Sequence, residues 1–80
     1  MQKVLTDRQR VNLAKLLIMM EIEKEVRLEV LTVIETPEEL FVFLDKLAEK
    51  NYEMTSREVY RALCETLEET TQMYYDPEDE

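Results

Sequence analysis

Thr55-Ser56-Arg57-Glu58-Val59-Tyr60-Arg61-Ala62-Leu63-Cys64-Glu65-Thr66-Leu67 contains a start signal and a period, and both belong to an α-helix. Thr55 and Glu58 have capping-box spacing. The threonine hydroxyl accepts from the backbone N–H three residues on, and the glutamate accepts from the threonine's own N–H. Met54, just before the cap, is placed to pack on Val59 as a hydrophobic staple. Val59, Leu63 and Leu67 then recur at intervals of four, with Tyr60 and Cys64 beside them and Arg57, Arg61, Glu65 and Glu68 opposite. A helix is predicted over about 56–72, and it must stop before Pro77.

The same box occurs twice more upstream, at Thr6/Gln9 and Thr36/Glu39. Pro37 takes the first helical position after Thr36, where a missing N–H costs nothing. These signals predict helices over about 7–20 and 37–50. Asn51, which tolerates a left-handed backbone, is predicted to close the second of these. Glu38 and Glu39 at its start, with Lys46 and Lys50 near its end, complement the helix dipole.

Residues 21–35 are ambiguous. Val26, Leu28 and Val30 alternate with Glu25, Arg27 and Glu29, the period of a half-buried strand. Yet Val26, Val30, Val33 and Ile34 also share one helical face, and Glu23 and Arg27 form an i,i+4 pair. A lone strand has no partner elsewhere in the chain, so a helix over about 22–34 is the expectation. No turn residue separates it from the helix before, so one long bent helix is the alternative. The fold class expected is all-α: a compact bundle of about four short helices. Residues 1–75 are read as a single helical domain and 76–80 as an acidic tail.

Composition excludes more than it includes. The 80 residues contain no His, no Gly, no Trp and one Cys, and 10 Lys and Arg against 19 Asp and Glu give a net charge of −9. Without Gly there is no phosphate-cradling loop and no EF-hand calcium loop. Without His there is no Ser/His/Asp or Cys/His nucleophile system and no imidazole metal ligand. A single Cys makes no intramolecular disulfide and fits a reducing compartment. The longest apolar runs, Leu16 to Met20 and the equally long Leu40 to Leu44, are far shorter than the roughly 20 residues that span a bilayer. With no signal-peptide pattern at the N-terminus, a cytoplasmic protein without a membrane partner is expected. A core this small is marginal, and self-association is a common supplement.

The candidate sites follow from what remains. Glu35/Glu38 and Glu65/Glu68 have the Glu-x-x-Glu spacing of carboxylate-metal enzymes. The first pair straddles a helix cap and no Glu-x-x-Asp follows, so no metal, no cofactor and no catalytic residue is expected. Cys64, on the predicted apolar stripe, is read as a small core residue. Leu16 and Met19 in the first helix, with Phe41 and Val42 in the third, fall outside the core-facing stripes and are expected to form an apolar interface. Residues 62–80 hold seven acids and no base, whereas residues 1–20 hold four bases and one acid. Glu65, Glu68 and Glu69 crowd the C-terminal half of the last helix, against its dipole, with no Lys or Arg nearby in sequence. With Asp76, Glu78 and Asp79 they make the expected acidic partner-binding face. Arg8, Arg10 and Lys15 lack aromatic stacking residues beside them, and the negative balance argues against direct nucleic-acid binding.

The functional expectation is a small acidic, non-enzymatic interaction or regulatory protein. It would bind and occlude another protein, a basic or nucleic-acid-binding one, in the manner of phage- or plasmid-type inhibitors and immunity-like proteins. Self-association as a homodimer is expected alongside. The alternative is a structural homo-oligomer with a solubilising acidic surface, and the remote alternative is a carboxylate-metal enzyme.

Overall fold

All three capping boxes form. Thr6, Thr36 and Thr55 each accept from the N3 amide at 3.1–3.2 Å, and Gln9, Glu39 and Glu58 each accept from the cap amide at 2.9–3.1 Å. The computed structural model describes residues 4–74, and the side chains of residues 4–71. Within them the chain is all-α, with four helices and no strand: α1 (Asp7–Met19), α2 (Lys24–Val33), α3 (Pro37–Glu49) and α4 (Ser56–Tyr74). Residues 24–33 are therefore helical, which settles the ambiguity of that segment.

The long bent helix spanning the first two does not form. Glu21 adopts a left-handed backbone at φ 61°. Its N–H donates to the carbonyl of Ile18 (2.9 Å), and that of Ile22 donates to the carbonyl of Leu17 (3.1 Å). This is a Schellman motif with glutamate where glycine is usual, and the buried Ile22 packs in the same core as Leu17. α3 closes in the same way. Asn51 (φ 55°) donates to Ala48 and Tyr52 (φ 60°) to Leu47, each at 2.9 Å. Asn51 is where the sequence placed a left-handed residue; Glu21 and Tyr52 are additions the absence of glycine forces.

Two ties fix how the helices run. Before α1, the Leu5 N–H donates to the carbonyl of Glu35 at 3.0 Å, so α1 and α3 begin side by side. At the other end the Glu23 N–H donates to Ser56 Oγ at 2.9 Å, so α2 and α4 begin together. The result is an up-down-up-down bundle. α1 packs on α2, α2 on α4 and α4 on α3, but no Cα atom of α1 lies within 8 Å of one in α3. Three of the four seams are closed and one is open.

The buried apolar residues form one cluster, centred on Leu17, Val30, Ile34, Phe43, Leu47, Val59 and Leu63. On α4 the buried line is Val59, Ala62, Leu63, Thr66 and Thr70, while Leu67 is only half-buried and Cys64 is exposed. The expectation of a core Cys64 is thus corrected. Successive residues turn by about 100°, so a strict four-residue step over-rotates by about 40° each time. Val59 and Leu63 stay on the core face, and Leu67 has turned partly away. Thr66 and Thr70 take the vacated face. Their hydroxyls donate to the carbonyls of Ala62 (2.8 Å) and Thr66 (2.9 Å), so each is buried with its polar group satisfied.

Candidate functional site

The open seam is an apolar groove of about 260 Å³, lined by Gln9, Asn12, Leu13 and Leu16 of α1 and by Leu40 and Leu44 of α3. Its two walls come from helices that share a starting point, fixed by the Leu5–Glu35 tie, and then stand apart. Leu13 and Leu40 are buried; Leu16 and Leu44 are half-buried and pack on the core from one side only. Met19 follows Leu16 by three residues, and Phe41 precedes Leu44 by three, so helical spacing sets both at the mouth of the groove. They are 80% and 68% exposed, high values for large apolar side chains.

Of the four residues assigned to an apolar interface, the structure gathers three. Leu16 lines the groove, and Met19 and Phe41 flank it. Val42 does not join them. It is half-buried on the opposite flank of α3, one turn before Lys46, where α3 meets α4. A further exposed apolar row was overlooked, although its signal is a seven-residue spacing: Val4, Val11 and Ile18. By the helical wheel Val11 and Ile18 sit on the outer face of α1, away from the groove.

The acidic residues of α4 divide. Glu65, Glu68 and Glu69 are all exposed, but Lys46 of α3 reaches across to pair with two of them. Its ammonium lies 3.6 Å from the Glu65 carboxylate and donates a hydrogen bond to Glu69. That hydrogen bond, and then the Glu69 and Glu65 charges, hold the Lys46 pKa above its ordinary value, against partial desolvation. No Lys or Arg stands near these acids in sequence, but the fold supplies one. The missing base lies 19 and 23 residues away in sequence, on the neighbouring helix. Glu68 points to the outer face of α4.

Beside them a shallow groove of about 250 Å³ between α3 and α4 is lined by Lys46, Lys50 and Arg61 together with Glu49, Glu58 and Glu65. Three bases against three acids leave it no single sign. Asp76, Glu78 and Asp79 lie outside the described residues.

Among the described residues, no group of three or more His, Cys, Asp or Glu side chains is arranged to hold a metal ion. Glu35 sits in the α2–α3 link, where its N–H donates to Glu39. Glu38 is in the first turn of α3. No described helix is long and apolar enough to cross a membrane.

No family model matches the chain, and searches of curated proteins and of solved structures find no match either.

Proposed function

We propose that this chain is a non-enzymatic protein-binding module that works by docking and occlusion, with the α1–α3 seam as its anchoring surface. One observation carries this. A helix bundle gains stability by closing its seams, yet here the seam is left open with Leu16 and Leu44 half-covered and Phe41 and Met19 at its mouth. Exposed large apolar groups that flank a concave apolar floor have the composition of an interface centre.

Charge supports the choice of partner to be occluded. A net charge of −9 repels nucleic-acid backbone and attracts basic protein surfaces, raising the rate of encounter. Glu68, and Glu65 and Glu69 around Lys46, are the described acids that would compete for such a surface. Occlusion of a basic or nucleic-acid-binding protein, as small inhibitors and immunity-like proteins achieve, is the regulatory role this favours.

The test is site-specific photo-crosslinking in native lysate, with a benzophenone amino acid at position 41 and, as control, at exposed Leu28 on α2. Protein adducts at 41 that are absent at 28, and that Leu44→Glu removes, are expected. Equal labelling at both positions, or none at 41, would refute the assignment.

A further inference from the structure

Resting on that reading of the seam as a docking surface, we infer that its occupant is a second copy of this chain, related by a two-fold axis running along the groove. The argument is one of charge in register. The Leu5–Glu35 hydrogen bond sets the two N-caps, Thr6 and Thr36, at the same level. From there α1 and α3 run in the same sense. Arg8 lies two residues past its cap and Lys15 nine; Glu38 lies two residues past its cap and Asp45 nine. At about 1.5 Å per residue, the paired positions stand near 3 and 14 Å along each helix.

The helical wheel places Arg8 and Lys15 on the outer rim of the α1 wall, beyond Asn12 and Met19. It places Glu38 and Asp45 on the outer rim of the α3 wall, beyond Phe41. Arg8, Lys15, Glu38 and Asp45 are all exposed. The groove thus has one basic rim and one acidic rim, matched in height.

Two such grooves can face one another around two axes. An axis across the groove sets α1 on α1 and opposes like charges. An axis along the groove sets α1 of each copy over α3 of the other, both running the same way. Arg8 then faces Glu38, and Lys15 faces Asp45, at equal heights and twice over. Leu16, Met19, Phe41 and Leu44 of both copies fall between them. Only this arrangement is self-complementary, as a two-fold contact must be. It leaves the α4 flanks facing outward, one on each side, for a further partner.

The experiment is sedimentation equilibrium on the full chain at about 150 mM salt, where screening over about 8 Å quiets the repulsion between two whole molecules of charge −9. The wild type is expected as a dimer. Lys15→Glu and Asp45→Lys each set two like-charge contacts in the interface and should raise Kd roughly tenfold or more. The two single variants mixed one to one, and the double variant Lys15→Glu/Asp45→Lys, should each restore wild-type association. In the mixture, the carboxylate introduced into α1 of one copy meets the ammonium introduced into α3 of the other. The native Asp45 of the first copy then meets the native Lys15 of the second.

Phe41→Asp, at an exposed position, should yield a monomer with unchanged helical circular dichroism. A wild type that stays monomeric overturns the inference, and so do single variants that associate normally or fail without rescue. If the chain is monomeric and position 41 crosslinks to a different protein, the second copy is refuted while the docking function stands. A monomer that crosslinks to nothing refutes both.

Discussion

Glu21→Gly should make this protein more stable, although it deletes a side chain and adds a flexible residue. Glu21 holds φ at 61° to end α1, and it is exposed, with no hydrogen bond or ion pair from its side chain to another described residue. A left-handed backbone costs a residue with a Cβ about 1–2 kcal/mol. Glycine escapes that cost but gives up about 0.4–1 kcal/mol to the greater freedom of its unfolded chain. The difference favours glycine by about 0.5–1 kcal/mol. For a domain of 60–100 residues, each kcal/mol moves Tm by about 4–8 °C, so a rise of about 2–8 °C is expected.

Charge must be separated from backbone, because an acid just past the end of α1 also opposes its dipole. Glu21→Ala removes the acid and keeps the Cβ, so the quantity to read is the Tm of the glycine variant minus that of the alanine variant, by thermal circular dichroism. Equal melting temperatures would refute the reasoning. Position 21 would then not be left-handed, and α1 and α2 could be a single bent helix after all.

Thr66→Val should be neutral or stabilising by up to about 1 kcal/mol, because valine fills the same space and the hydroxyl's acceptor, the Ala62 carbonyl, keeps its helical bond. Thr66→Ser, which loses a buried methyl, should cost about 1 kcal/mol; urea unfolding distinguishes the two. Phe43→Ala empties the middle of the core and should cost about 3–5 kcal/mol, a large part of the roughly 4–12 kcal/mol expected of 80 residues, visible as a collapse of the urea midpoint. Lys46→Met should cost under about 1 kcal/mol at neutral pH, since both its carboxylate partners are half-exposed. Lys46 is raised in the fold, so its contribution is complete below its ordinary 10.5 and fades as pH climbs through the higher folded value; the methionine variant should lose that alkaline dependence in pH-resolved melting. Glu58 behaves oppositely. The Thr55 amide and hydroxyl lower its pKa, so its stabilisation is complete above the ordinary 4.5 and is lost as pH falls through the lower folded value, a dependence that Glu58→Gln should remove.

What the sequence disclosed and what it hid separate along one physical line. Each capping box is a local event between residues three apart, and all three were legible. So was the αL turn at Asn51, because asparagine advertises it. Glu21 and Tyr52 advertise nothing, and only the five-residue step from Leu17 to Ile22 hints at a helix end. The apolar residues fixed the helical faces to within about one position. That margin let Leu67 and Cys64 stand where Thr66 and Thr70 belong, since threonine reads as polar until its hydroxyl is folded back on its own helix. The Lys46 pairing with Glu65 and Glu69 needed the α3–α4 contact to be seen. The groove was half-legible: Leu16, Met19 and Phe41 were identified as surplus apolar residues, but which seam stays open depends on how four helices close, and nothing local specifies that.

The open seam also sets the order in which the molecule comes apart. Only α2 brings its backbone within 8 Å of α1, which is otherwise held by Leu13 and Leu17 in the shared core, the Leu5–Glu35 bond and the Glu21 turn. α1 can lift away without parting α3 from α4. The cheapest opening of the bundle is therefore a three-helix remnant with α1 detached, and amide protons of α1 should exchange with solvent through that opening while those of α4 wait for global unfolding. A second copy seated in the seam would bar the exit, so exchange in α1 would slow as protein concentration rises, and the mobility of one helix would report on the crowd around it.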